Sequence, residues 1–426
     1  MTLSPKPLFV LACAAVLTMT AGQSNAQNMA QSRLFGSETF KAWADLRLTT
    51  GQGEPGWLDG GFGKTRYGKG DGGVHLAQAA ALWQPRLLDT VTAYVLVQDV
   101  PDAQNPFGVE EAYLKWKPVP TSAVRYSLRL GQMFAPVSEE HDGAGWTPSR
   151  TITPSAINSW IGEEVLVDGL EGSVQLTSGD STYGLTAGAF TRDDTAGTII
   201  AWRGWALHDI SSAESTYLPL PEGDDQGWYQ LFDDYQAPAT RPLKEVDHRL
   251  GYYVRLDWRP PVPVALNFEF YDNQADPELV QNNQWGWATR FYNLGLTYQP
   301  APDWEVLGQY MTGQTIMGWQ LSNGRWAVDV NFDSAYLLAS RKLPGGSRLT
   351  ARLDYFAVKD WSKRQIDDNT DKGYAATVAW LRPLNDHLDL ACEALRVQSN
   401  HPARALQQTT PHQTQTQLQI ALKLHL

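Results

Sequence analysis

Cysteine is nearly absent from this sequence of 426 residues, which contains only Cys13 and Cys392. Cys13 belongs to an N-terminal stretch that is predicted to be removed, so a disulfide bond within the mature chain is excluded. After that stretch the sequence has no run of about 18 consecutive apolar residues, which argues against a transmembrane helix. Positive charge is also scarce, because 34 Lys and Arg stand against 46 Asp and Glu, a net charge of −12. Nucleic acid is therefore not an expected partner, since binding it requires a basic surface.

The first residues have the pattern of a secretory signal peptide. Lys6 is followed by an apolar run over residues 8–20 and then by small residues up to Ala26. The run is too short to cross a bilayer as a helix, and the pattern predicts export with cleavage after about Ala26. The expected organisation is a signal peptide at 1–26, a short N-terminal segment at 27–38, and one domain at 39–426. The mature chain would carry 33 basic and 46 acidic residues, because residues 1–26 contain one Lys and no acid.

Aromatic residues and period-two alternation are abundant, with 17 Trp and 17 Tyr in the chain. At the end of the sequence, five apolar residues from Leu418 to Leu426 alternate with polar or small ones. Strict alternation predicts a strand with one wet face and one apolar face. The pattern recurs and predicts sixteen strands, near 40–49, 74–84, 88–98, 109–117, 123–132, 167–176, 182–191, 248–258, 264–272, 288–299, 304–312, 326–340, 347–358, 372–382, 387–397 and 414–426.

The connections between these strands alternate in length. Seven are short and rich in Pro, Gly and Asp, and eight are long. This asymmetry predicts an all-β fold, a transmembrane antiparallel β-barrel of about 16 strands with short periplasmic turns and long extracellular loops. The long loops are expected near 50–73, 99–108, 133–166, 192–247, 273–287, 313–325, 359–371 and 398–413. Aromatic residues near strand ends predict an interfacial girdle, namely Phe40, Trp116, Trp258, Tyr298, Trp304 and Trp380.

Two stretches resemble the phosphate-selective porin O and P family of Gram-negative bacteria. They are Glu110–Trp116, which is similar to that family's fourth-strand pattern, and Leu130–Glu139, which is similar to its approach to the constriction loop. The resemblance implies a sixteen-stranded, homotrimeric outer membrane porin. It also implies an anion path lined by Arg and Lys, in which Arg125 and Arg129 are the equivalents here. The solute class stays open between small polar solutes and inorganic ions, with anions such as phosphate as one case.

The faces opposite the apolar ones carry ten basic and ten acidic residues. Unpaired buried charge is costly, so the pattern predicts a water-filled lumen. In sixteen-stranded porins the loop after the fifth strand folds inward, and its counterpart here, 133–166, is the candidate constriction loop. Its acids would face wall arginines and set ion preference, or they would be solvated while the arginines form salt bridges in the lumen. The candidate pore-lining residues are Arg125, Arg129, Arg249, Arg255, Lys115, Glu111, Glu139, Glu140, Arg150, Glu163 and Glu164.

The longest loop, 192–247, has an apolar part at 199–207 and an acidic part. Loops of this length are usually functional or disordered. The apolar part would dock on the barrel mouth or on a neighbouring subunit, the acids would bind divalent cations between lipopolysaccharide molecules, or the whole loop would be solvated. The acids in question are Asp224, Asp225, Asp233 and Asp234.

The sequence leaves two other functions open. A secreted or surface β-rich hydrolase would need convergent catalytic groups, but Glu110 and Glu111 are adjacent on a strand and point to opposite faces. Metal-ligand spacing, a nucleophile elbow and a phosphate-binding Gly loop are also missing, so neither an enzyme nor a cofactor is expected. A structural barrel with a blocked lumen remains the other alternative. The expected partners are outer membrane lipid, lipopolysaccharide, small polar or ionic solutes and two further copies of the chain.

Overall fold

The computed structural model describes residues 33–221, 235–362 and 368–426, and most of them belong to one antiparallel sheet that closes on itself. Each long strand pairs with its neighbours in sequence, and the first pairs with the last, where Leu48 faces Ile420. Closure gives every strand a neighbour on both sides and leaves no free edge strand. The sixteen strands are β1 Phe40–Gln52, β2 Gly73–Trp83, β3 Val91–Asp99, β4 Phe107–Trp116, β5 Val124–Phe134, β6 Leu166–Ser178, β7 Ser181–Thr191, β8 Gly251–Arg259, β9 Val264–Asp272, β10 Ala288–Ala301, β11 Trp304–Gln320, β12 Trp326–Lys342, β13 Arg348–Asp360, β14 Asp371–Asn385, β15 Leu388–Asn400 and β16 His412–His425.

The predicted fold class and strand number are confirmed, and the largest error in a predicted boundary lies at the end of β11. The loop expected at 313–325 is confined to 321–325, because β11 continues to Gln320. Gly313 and the polar residues after it interrupt the apolar alternation, although the backbone ladder continues through them. A side chain at Gly313 would meet the ring of Phe332 at 2.4 Å, so the glycine makes room for a large inward ring on the next strand. The predicted signal peptide and the acids at 224, 225, 233 and 234 lie outside the described residues.

Short turns lie at one end of the barrel and long loops at the other, here named the short-turn end and the long-loop end. The turn between β6 and β7 contains only residues 179–180, whereas the loops at 135–165 and 192–250 are the longest. None of the helices in the three described ranges is long and apolar enough to span a bilayer.

The outer surface of the barrel is apolar between two rows of aromatic side chains. Trp258, Tyr298 and Trp304 are exposed near the short-turn end, where the sequence predicts a girdle. A second row lies six residues along the same strands toward the long-loop end, at Tyr252, Tyr292 and Tyr310. Exposed leucines lie between the rows, and Leu353 retains 65% of its accessible surface. An apolar band bordered by two rows of aromatic side chains is the outer surface expected of a barrel that is surrounded by hydrocarbon, with the aromatic rows at the two boundaries with water.

Inward-folded loops fill the long-loop half of the barrel. We name as the plug the described loop residues 53–72, 135–165, 192–221 and 235–250. The plug contains two helices, α1 Ala156–Glu164 and α2 Thr198–Trp202, and Ser155 caps α1 by accepting a hydrogen bond from the Asn158 amide.

The plug and the barrel wall share one apolar core. Trp160 of α1 lies 5.1 Å from Phe332 and 5.7 Å from Phe291, centroid to centroid, and both rings belong to wall strands. Trp205 donates a hydrogen bond to the Ala357 carbonyl and is fully buried. The water-filled lumen predicted from the charge content is therefore wrong for this half of the barrel. Several inward charges there are paired with the plug, such as Asp371 with Lys64 and Arg352 with Glu140, and sequence reasoning did not supply those partners.

Candidate functional site

Two cavities occupy the short-turn half of the lumen. The first has a volume of about 650 Å³ and lies against β4–β8, and the second has about 560 Å³ and lies against β1, β14, β15 and β16. Gly143 and Trp146 line both, so this part of the loop 135–165 separates them. Both cavities are accessible polar spaces inside the barrel, and the candidate pore lining is therefore sought there.

Basic side chains outnumber acidic ones in the first cavity. Arg129 donates two hydrogen bonds to Glu171, at 2.7 and 2.6 Å, and Arg255 lies 3.0 Å from Asp257. The lining contains five Lys or Arg and three Asp or Glu, namely Lys117, Arg125, Arg129, Arg255 and Arg259 with Glu111, Glu171 and Asp257. Among the described residues, Lys117, Arg125 and Arg259 have no acidic partner within ion-pair distance. This wall therefore carries positive charge that a solute can reach.

The second cavity has the same surplus. Arg47 is held by two carboxylates, Asp45 at 2.7 Å and Asp209 of the plug at 2.6 Å. The lining again contains five Lys or Arg and three Asp or Glu, namely Lys41, Arg47, Arg348, Arg382 and Lys423 with Asp45, Asp209 and Asp389. Each cavity thus has two more basic than acidic side chains, although the chain as a whole is acidic.

The loop 135–165 crosses the lumen and binds the opposite wall. Glu139 lies 2.9 Å from Arg255 of β8, and Glu140 lies 3.0 Å from Arg352 of β13. Loop acids thus contact wall arginines, with the signs that the sequence predicts. Arg150 has the reverse polarity, because its partner is Glu305 of β11 at 2.6 Å. These contacts are direct, so a field between loop and wall across open water is not the arrangement found.

Two predicted lining residues, Glu163 and Glu164, lie in the plug and in neither cavity. Arg203 donates to Glu163 at 2.5 and 2.7 Å, and His208 Nε2 lies 2.9 Å from the same carboxylate. Burial alone would raise the pKa of Glu163, but the charges of Arg203 and His208 hold it at about 2.

Glu164 instead accepts hydrogen bonds at the start of α2. Its donors are Trp160 Nε1 at 2.7 Å and the amides of Ile199 and Gly197 at 2.9 and 3.1 Å. Burial raises the pKa of Glu164 to about 7, because the donors compensate only part of the lost hydration. Glu163 and Glu164 therefore stabilise the plug, and neither of them lines a cavity.

The remaining candidates divide into cavity, wall and surface positions. Arg125, Arg129, Arg255 and Glu111 line the first cavity. Lys115 is half-buried and faces Arg129 across the β4–β5 ladder, outside the lining of either cavity. Arg249 precedes β8 by two residues, is exposed, and pairs with Asp276 at 2.6 Å. Its assignment to the pore wall was wrong because the strand begins later than the alternation suggested.

Sequence reasoning missed several charged residues of the cavities. Lys117 and Arg259 could have been found, because each lies an even number of residues beyond an inward basic residue, Lys115 and Arg255 respectively. Asp209 could not, since it lies in an aperiodic loop whose path depends on contacts with distant strands.

Replacing Glu163 by Gln should destabilise the plug by about 3–5 kcal/mol, because Arg203 would remain buried without its charge partner. Loss of fluorescence from the buried plug tryptophans during denaturant unfolding would measure the change. The stabilising effect of Glu163 is present above its unfolded pKa and is lost as pH falls toward about 2. Asp142→Asn is the matched control, because Asp142 is partly exposed in its pair with Arg150 and should contribute less than about 1 kcal/mol. Equal unfolding midpoints for the two variants would contradict this role of Glu163.

Comparison with known proteins agrees with the fold. No family model and no curated protein matches this chain, so the resemblance to phosphate-selective porins stays a prediction. Among solved structures, the chain is similar to the outer membrane channel DcaP of Acinetobacter baumannii, with a TM-score of 0.54 and 10% identity over 91% of this chain and 97% of that one. It is also similar to a loop L8 deletion mutant of OmpT, an outer membrane protein of Vibrio cholerae, with a TM-score of 0.51 and 10% identity over 91% of this chain and 99% of that one. At such low identity the likeness shows the fold, a closed antiparallel β-barrel shared with outer membrane proteins.

Proposed function

We propose that the protein is an outer membrane porin of a Gram-negative bacterium that admits small polar or charged solutes and prefers anions. The observation that carries this proposal is the pair of basic cavities enclosed by a barrel whose outer face is apolar. The signal-peptide pattern is consistent with export to that membrane.

The outer face supports the membrane location. Exposed leucines and aromatic rings surround the wall, and a surface this apolar would aggregate in water. A closed barrel satisfies every backbone hydrogen bond of its strands internally, as a hydrocarbon environment requires. The short-turn end would face the periplasm and the long-loop end the exterior. The homotrimer implied by the family resemblance would bury part of the same apolar face, and the mass of the detergent-solubilised protein tests it.

The cavities support the preference for anions. Their surplus of basic side chains attracts anions, and the low-dielectric wall strengthens that attraction. Inorganic phosphate fits this chemistry, as do other small anions. Arg125 and Arg129 line the first cavity, but only Arg125 is free to meet a solute, because Arg129 is committed to Glu171.

The plug favours one alternative, a barrel that does not conduct. The buried core of the described residues occupies the long-loop half, so passage of a solute requires the plug to move. In the proposed function the plug therefore limits the channel, and conduction through the native protein is expected to be small or intermittent.

Planar bilayer recordings separate the two functions. A porin should give discrete conductance steps and, in a KCl gradient, a reversal potential with the sign of chloride preference. Inorganic phosphate added on the short-turn side should reduce the chloride current if it enters the same cavities. Folded protein that never conducts, with or without its plug, would contradict the proposal and favour the structural barrel.

A further inference from the structure

The outer face of the barrel carries a basic patch at the long-loop end. Lys359 of β13, Lys372 of β14 and Arg396 of β15 lie on adjacent strands, point away from the lumen and are exposed. The outward positions of these three strands include no Asp or Glu. These three strands therefore carry outward charge of one sign, within a chain that is acidic overall, while the neighbouring strand β12 carries the outward acids Asp329 and Asp333.

The patch differs from the paired arginines of the inner wall in how its charges are satisfied. Inward arginines such as Arg47 and Arg352 are held by carboxylates at 2.6–3.0 Å. Across the described part of the chain, Lys359, Lys372 and Arg396 have no acidic partner within 4 Å. Lys359 Nζ instead lies 3.4 Å from the centroid of the Trp361 ring, which fixes it near the surface. Three cations thus remain available to an external anion.

The depth of the patch matches the boundary of the apolar band. Tyr374 is 56% exposed and packs beside Tyr355 with ring centroids 5.4 Å apart, as part of the second aromatic row, the one toward the long-loop end. Lys372 lies two residues beyond Tyr374 toward the loops. Arg396 pairs in register with Ala376, two residues on the apolar side. Long basic side chains near the edge of an apolar band extend their charged ends toward the interface, where lipid phosphates lie.

We propose that Lys359, Lys372 and Arg396 form a binding surface for the phosphorylated headgroup of lipopolysaccharide in the outer leaflet. The proposal rests on the proposed membrane location, which places the long-loop end outside. Lipopolysaccharide is chosen as the occupant because its headgroup presents several phosphates and the patch spreads its cations over three strands. A single phosphate would engage one or two of them.

The test compares two double variants with the same change in charge. Lys372→Glu with Arg396→Glu reverses the patch, whereas Arg86→Glu with Arg341→Glu reverses two exposed cations near the short-turn end. Both proteins, full length and folded in detergent, are titrated with purified lipopolysaccharide and with a dephosphorylated preparation, and binding is measured by native gel shift. The patch variant should bind the phosphorylated form at least about tenfold more weakly than the control and the wild type, with the difference shrinking at high salt.

Equal affinity of the two double variants would overturn the proposal, as would equal binding of phosphorylated and dephosphorylated lipopolysaccharide by the wild type. Heat-modifiable gel mobility verifies that each variant is a folded barrel, and Lys372→Gln with Arg396→Gln provides a milder change if the reversal prevents folding. Bilayer conductance of the patch variant should match that of the wild type, because the patch faces away from the lumen. A variant that loses lipopolysaccharide binding but keeps its conductance therefore tests the binding surface alone. Absence of conductance in every variant, including the wild type, would instead contradict the proposed porin function.

Discussion

Removal of the longest loop should open the barrel. A variant in which a short Gly/Ser linker replaces residues 196–246 is expected to conduct at least about fivefold more current than the native chain, because sixteen strands enclose a water-filled channel when nothing occupies it. The linker can be short, since Asp194 already accepts hydrogen bonds from the amides of Val246 and Asp247. The deletion removes α2 and Trp205, and with them a large part of the core that closes the long-loop half.

Single-channel recording in planar bilayers measures the effect. The matched control deletes residues 322–324, an exposed loop tip at the same end that takes no part in the plug, and should leave conductance unchanged. The loop 135–165 should remain across the lumen in both variants, because Glu140 and Arg352 lie outside the deletions. A folded deletion variant with native conductance would show that the plug does not limit passage.

The sequence was sufficient to predict the barrel because strand periodicity is a local property. In β16, for example, residues from Leu418 to Ala421 alternate in the structure between the exposed outer face and the buried inner face. The same parity would have identified Lys117 and Arg259 as lining residues. Each strand meets the same requirement independently, with one face outward and one face toward the lumen. An error in one predicted strand boundary therefore does not alter the predicted number or order of the other strands.

The plug could not be predicted, because its stability depends on contacts that no local pattern encodes. Asp209 binds Arg47 across 162 residues, and Arg404 binds Glu54 across 350. The number of charges on the inner faces predicts water, although pairing with distant loops satisfies many of the same charges in a buried interior. The apolar composition of residues 199–207 predicts docking at the barrel mouth as one option. They pack against the inner wall near the long-loop ends of the strands, where Trp205 donates to the Ala357 carbonyl of β13 and Trp202 lies 5.2 Å from Trp287.

Reversing the free charges of the first cavity should reverse the ion preference of the channel. Arg125→Glu combined with Arg259→Glu changes the cavity from two excess positive charges to two excess negative ones. The permeability ratio of chloride to potassium should then fall by about tenfold or more, because charge lining a constriction sets the local concentration of permeant ions. Arg129 is retained, because replacing it by Glu would place a second carboxylate beside that of Glu171.

The reversal potential in a KCl gradient measures this change, and the plug-deleted background supplies current if the native chain conducts too little. Arg86→Glu with Arg341→Glu carries the same change in total charge outside both cavities and should retain the native preference. Screening adds a second check: the Debye length is about 10 Å at 0.1 M salt and shortens as salt rises, so the difference between the two variants should diminish in concentrated KCl. If both double variants gave the native reversal potential at low salt, ions would not pass through the cavity that contains Arg125. The basic lining would then be a structural feature of the wall, and the preference for anions would have to be abandoned.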